Sequence, residues 1–223
     1  MNALQSGWNW LVNGQHWHGA DGITARLLEH LGYAGISFLI AALIALPIGM
    51  LIGHTGRGSF FVMNLAIFGR ALPTLGLVIL AFIYSSASSA AGLVPLIVLA
   101  IPPILVNTYE GVLGADPAAK DAAAGMGMTG SQMLRRVEVP VALPLIMLGL
   151  RTAAIQVVST ATIAAYIGLG GLGRFIIDGL ANNDYAVVAG GAMIVVLLAL
   201  VVQLLFTVAG RLVVPAGLRK SAN

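Results

Sequence analysis

The stretch LGYAGISFLIAALIALPIGMLIG, residues Leu31–Gly53, carries no Asp, Glu, Lys or Arg. A bilayer core is crossed by about 20 apolar residues in a helix, so length and composition alone make this segment a membrane span. It is not isolated. Ala71–Tyr109, Thr152–Gly173 and Tyr185–Gly210 are equally free of charge. Across all 223 residues, 59% are hydrophobic and 9% charged, against roughly 45–50% and about 25% in soluble globular proteins. The 11 basic and 8 acidic residues are too few to cover a water-soluble surface. The strand alternation of an outer-membrane barrel is absent. The chain reads as an all-α polytopic membrane protein.

Outward from that first span, the charges and helix breakers set the others. The interval between Arg57 and Arg70 is too short to cross alone, and Ala71–Tyr109 is too long for one crossing. The small polar run Ser85–Ser86–Ala87–Ser88–Ser89 divides the latter. Reading a second span from near Asn64 to that run leaves Arg70 at one membrane edge. A third span then covers about 92–109, kinked at Pro102–Pro103. A fourth lies at about 145–167 and a fifth at about 185–210, for about five transmembrane helices. Residues 1–30, with Trp8, Trp10 and Trp17 among polar residues, read as an interfacial segment. Residues 31–210 form the membrane domain and 211–223 a cytoplasmic tail.

Basic residues orient the chain. With the N-terminus outside, the inner segments hold Arg57, Lys120, Arg135, Arg136, Arg211, Arg219 and Lys220, and the outer ones only Arg26 and Arg174. The expected topology is a multi-pass protein of the inner (cytoplasmic) membrane with its N-terminus outside and its C-terminus inside. The largest inner segment is then residues 110–139.

That segment has the marks of folded structure. Asp116–Pro117 offers an N-cap followed by Pro at the first helical position. The run Ala118–Ala124, holding Lys120, Asp121, Ala122 and Ala123, is rich in the strongest helix former. Gly125 and Gly127, flanking Met126 and followed by Met128, end that helix. Thr129 or Ser131 caps a second, which continues through Arg135 to Val137, and Pro140 opens the return into the membrane. Small side chains on such a hairpin let another protein's surface approach closely.

Several chemistries are excluded or disfavoured. There are no cysteines, hence no disulfide, thiolate metal site or cysteine nucleophile. Gly168–Leu169–Gly170–Gly171–Leu172–Gly173 fits GxGxxG, but it follows a membrane span and position 193 is Met, so it reads as a close-packed helix break. Lys120 follows Ala119 and Lys220 follows Arg219; neither forms the Gly-Lys-Ser/Thr of a Walker loop. ATP-driven work therefore needs a separate subunit. His16 and His18 lack carboxylate neighbours, and His54 lies on the other side in this topology, so no metal site is expected. No catalytic residue is assigned. A net charge of +3 gives no ground for nucleic-acid binding.

Asp121–Ala122–Ala123, three residues, Gly127, nine residues, Val137, one residue and Val139–Pro140 resembles the EAA loop of ABC-importer permeases. Asp121 stands where that family has Glu, Val137 where it has Ile and Val139 where it has Leu. The resemblance extends over roughly residues 30–210. Arg70–Leu75, Pro102–Gly111, Gly125–Gly130 and Thr162–Gly173 look like the branch for glycine betaine, choline, carnitine and proline. The resemblance implies a type I importer permease (MetI-like) fold and a loop that docks on the ATPase. Its docking residues would be Asp116, Lys120, Asp121, Ala122, Ala123, Gly125, Met126, Gly127, Met128, Arg135, Val137 and Pro140. It further implies a second permease subunit, identical or paralogous, two ATPase subunits carrying ATP and Mg, and an extracytoplasmic solute-binding protein. A methionine-type importer shares most of these features. An ATP-independent channel or secondary transporter is the remaining alternative, though internal repeats and a coupling-ion site are not evident.

Polar residues within spans are functional candidates. Arg70 with Pro73, and Arg151, would sit at a gate or at helix ends. Gln156, Ser159 or Thr160, Ile163 and Tyr166 follow helical spacing along one face, which lines a path or binds a neighbouring helix. Tyr84, Tyr109 and Tyr166 offer aromatic faces suited to a cation.

Overall fold

The computed structural model describes residues 2–84, 92–215 and 217. The described residues are helical and contain no strand. In chain order the helices are α1 (Ala3–Val12), α2 (Ile23–Thr55), α3 (Ser59–Ala71), α4 (Thr74–Tyr84), α5 (Leu93–Leu113), α6 (Pro117–Gly125), α7 (Gly130–Met133), α8 (Val139–Ala164), α9 (Gly173–Ala181) and α10 (Tyr185–Val213). By length and composition, four helical stretches among the described residues can cross a membrane: Ile23–Thr55, Leu93–Leu113, Gly130–Ile167 and Tyr185–Val213. The bent pair α3 and α4 makes five if it is one span. Large apolar side chains such as Leu43, Phe60, Leu80 and Leu204 are exposed, as expected where the solvent is lipid.

The second span differs from its expected form. No straight helix runs from near Asn64 to the serine run, which lies outside the described residues. The chain there forms two helices, α3 and α4, separated at Leu72–Pro73. Pro73 has no N–H and disfavours helical backbone at Leu72 before it. The Pro73 carbonyl instead accepts from Leu77 N–H at 2.9 Å, starting α4 afresh.

The helix that contains the expected fourth span, about 145–167, is longer than that span. The helix passes through Pro140 from Gly130 onward, by way of a π turn at Leu134–Glu138. Val139 N–H bonds to the Leu134 carbonyl. This wider turn accommodates a proline that lacks a donor and crowds the carbonyl four residues back. α5, by contrast, runs unbroken through Pro102 and Pro103.

The chain divides into two compact units. Met1–Leu39, Leu72–Val98 and Ala154–Val202 form one, and Ile40–Ala71, Leu99–Ala153 and Gln203–Asn223 the other. In the first, Leu11, Ile23, Leu172 and Ile194 are buried together, flanked by Trp10, Leu27 and Phe175. Trp10 lies against Gly190, stacks on His16 with centroids 4.8 Å apart, and meets Phe175 edge-on at 5.2 Å. α8 ends in a break: a 3-10 turn at Ala165–Ile167, then Gly168 and Gly171 at φ 83° and 85°. Glu29 accepts from Gly171 N–H at 2.8 Å, and His30 Nε2–H donates to the Val158 carbonyl at 2.9 Å. Those two α2 side chains hold the glycine break in place.

In the second unit, small residues bring helices onto α5. A Cβ on Gly49 or Gly53 of α2 would come within 2.8 Å of Thr108 or Val112. One on Gly149 of α8 would lie 2.7 Å from the Pro103 carbonyl oxygen. Close backbone approach of this kind is how helices associate where lipid removes the hydrophobic drive. Val112, Ala142 and Ile146 form the buried cluster there, with Leu46, Met50 and Leu150 packed around it.

Candidate functional site

The segment Asp116–Met133 folds into a helix pair whose joints follow from local chemistry. Asp116 caps α6 by accepting from Ala118 N–H at 2.9 Å, and Pro117 takes the first helical position. At the other end Gly127 adopts φ 78°. Gly127 N–H bonds to the Ala124 carbonyl at 2.9 Å and Met128 N–H to the Ala123 carbonyl at 3.1 Å. These two bonds make a Schellman stop, which needs a left-handed residue that glycine supplies without strain. Thr129 then opens α7. Its side chain accepts from Gln132 N–H, and Gln132 Oε1 accepts from Thr129 N–H at 2.8 Å, a reciprocal capping box.

One side of α6 is seated through Ala123, which is 2% exposed. Asp116, Asp121, Ala122, Gly125, Met126 and Gly127 are exposed, and Met128 is half-buried. Met126, at 72% exposure, is the large apolar side chain protruding from this face. Arg135 is also exposed, while Val137 and Pro140 are half-buried in the π turn and the start of α8. The surface is thus small, knobbed by one methionine and edged by charge, which suits a protein partner.

Lys120 points back toward the membrane helices. Its Nζ lies 3.4 Å from Glu138 Oε1, and His54 Nδ1–H donates to Glu138 Oε2 at 2.6 Å. Glu138 is 1% exposed. Neither Glu138 nor His54 stands out as a site residue in the sequence. The available signal was an acid set in the otherwise apolar run Val137–Leu145 at a span's edge, where ionisable groups carry meaning.

The path candidates are dispersed. Ser159 and Tyr166 are exposed, Gln156 and Ile163 half-buried, and Thr160 faces inward at 8% exposure. Arg151 is half-buried and, with Arg211, Leu148, Phe206 and Thr207, lines an open cavity of about 470 Å³. Pro73 is exposed at the α3–α4 bend. Arg70 occupies the last turn of α3, and its side chain lies outside the described part. Tyr109 is buried, whereas Tyr84 and Tyr166 are exposed. The structure does not gather these residues into one site.

Helices long and apolar enough to cross a membrane, joined by an exposed helical hairpin with a Gly-based stop, are the features that a membrane transport component would have. Residues 45–216 match the family of binding-protein-dependent transport system inner membrane components, and the chain belongs to that family. It is 32% identical to the choline transport system permease protein OpuBB of Bacillus subtilis, over 87% of this chain and 90% of that one. Its identity to the carnitine transport permease protein OpuCB of Listeria monocytogenes is 36%, over 78% and 80%. The osmoprotectant import permease protein OsmW of Salmonella typhimurium is 31% identical over 88% and 94%. Among solved structures, an inward-facing MetNI methionine ABC transporter shares the fold, with TM-score 0.73 at 21% identity over 93% of this chain and 98% of that chain.

Proposed function

We propose that the chain is the permease subunit of an ATP-driven importer for quaternary-ammonium or proline-type osmoprotectants, such as choline, glycine betaine or carnitine. The observation that carries this reading is the exposed hairpin at Asp116–Gln132, with its Schellman glycine, in a chain related to permeases of those names. The hairpin is the surface on which two ATPase subunits dock, and ATP and Mg belong to them. A second permease chain completes the path, and an extracytoplasmic solute-binding protein delivers the substrate. The N-terminus lies outside and the C-terminus in the cytoplasm, in the inner membrane. ATP and loaded binding protein drive transport by their differential affinity for the inward- and outward-open states.

Reconstitution in vesicles with the ATPase and candidate binding proteins tests both parts. Hydrolysis should rise with choline-, betaine- or carnitine-loaded protein and not with a methionine-loaded one. Ala122→Trp, placed on the exposed face, should abolish that stimulation while leaving the chain folded in the membrane. Stimulation by methionine alone would reassign the substrate; full stimulation in Ala122→Trp would reject the docking surface.

A further inference from the structure

Among the described residues Glu138 is the buried carboxylate, and three separate segments converge on it. His54 comes from the last turn of α2, Lys120 from the middle of α6, and Glu138 itself closes the π turn that leads into α8. One carboxylate oxygen takes the imidazole at 2.6 Å, and the other faces the ammonium at 3.4 Å. The Lys120 ammonium also lies 3.5 Å from the Val112 carbonyl of α5. The π turn is part of the device. It carries an extra residue, so the helix beyond it is rotated by about 100° relative to an unbroken one. Arg135 and Arg136 stay exposed while Glu138, two residues on, is buried.

α6 is built from alanine and glycine, which make few dispersion contacts, so packing alone holds it weakly. The ionic link is of a different kind. Exposed ion pairs resist separation little, but separating a buried carboxylate from its partners strands a charge in a low-dielectric setting. Lys120 and Glu138 therefore oppose any movement of α6 away from the membrane helices.

We propose that Glu138 is a positioning residue for transport. It clasps α6 to α2 and α8, so that displacement of the hairpin by the ATPase is delivered to the spans and not absorbed within the loop. This rests on the docking reading given above. Glu138 touches neither nucleotide nor solute in this scheme; it acts through Lys120 and His54.

The test measures ATP hydrolysed per solute imported, in vesicles holding the full complex. Glu138→Gln keeps an acceptor for His54 and removes the charge facing Lys120. Lys120→Met keeps the stem and removes the ammonium from a partly exposed site, so the fold survives even if Glu138→Gln is poorly tolerated. Glu138→Gln should co-purify with the ATPase, and both variants should raise the ratio by about fivefold or more, the lower end of coupling between sites. Lys120→Arg should restore it toward the wild-type value. An unchanged ratio in Glu138→Gln and Lys120→Met overturns the clasp alone. Failure of the wild-type chain to bind the ATPase overturns the docking reading, and the clasp with it.

Discussion

At the scale of single residues, Gly127 and Glu138 mark the two limits of what local reasoning reaches. Gly127 sits at φ 78°, and nothing lies within 4 Å of the place a Cβ would take, so a side chain there is opposed by backbone strain and not by crowding. Gly127→Ala should cost about 1 kcal/mol, and Gly127→Asn less, since Asn tolerates the left-handed region. Hydrogen exchange at the Met128 amide checks this, because that N–H bonds to the Ala123 carbonyl. Exchange should speed up by about five- to tenfold in the Ala variant through easier local opening. Asp116, Pro117, Gly127 and Thr129 were legible because a cap or a stop is decided within four residues. The pairing of His54 with Glu138 was not. It spans 84 positions, and no local pattern in either segment announces the other.

Among elements, the same joint appears twice. α9 ends with Asn183 at φ 55°, Asp184 N–H bonds to the Gly179 carbonyl at 2.8 Å, and Asp184 then caps α10 through Ala186 and Val187. A left-handed residue followed at once by a side-chain cap is thus how this chain turns between short and long helices. Helix identity was readable from apolar windows, since α2, α5, α8 and α10 all contain them. Helix limits were not. α2 starts at Ile23, ahead of the charge-free window, because Arg26 and Glu29 pair with each other at 2.9 Å and need not be excluded. The helix runs on through Pro140 by way of a π turn, whereas at Pro73, which the sequence reading places within the second span, α3 gives way to α4. Packing between helices gives a prediction at this scale. Gly149→Val would drive its Cβ toward the Pro103 carbonyl and Asn107, and overpacking of this kind costs about 1–3 kcal/mol. The thermal midpoint in detergent should fall, while Gly125→Ala, in open space on α6, should leave it near the wild-type value.

For the whole molecule, the absence of cysteine makes topology directly measurable. Gln15 and Met126 are both exposed. In intact cells an impermeant maleimide should label Gln15→Cys from outside and spare Met126→Cys until the membrane is opened. The reverse pattern would invert the orientation. The membrane class was readable from the scarcity of charge, and the helix pair at α6 and α7 from its local caps and glycines. The path was not, because its candidates follow helical spacing, which cannot say which face meets a partner. α10 illustrates the difficulty, with 6% of its apolar window buried in the chain itself. The hairpin at Asp116–Gln132, finally, bears on kinetics as well as position. Its caps are satisfied by its own side chains and backbone, so it is ordered before any partner arrives. Binding to a surface already in its bound shape loses little conformational entropy. Under the docking proposed above, the ATPase would meet a rigid key, and the rate of encounter would follow diffusion and charge, with no folding step interposed.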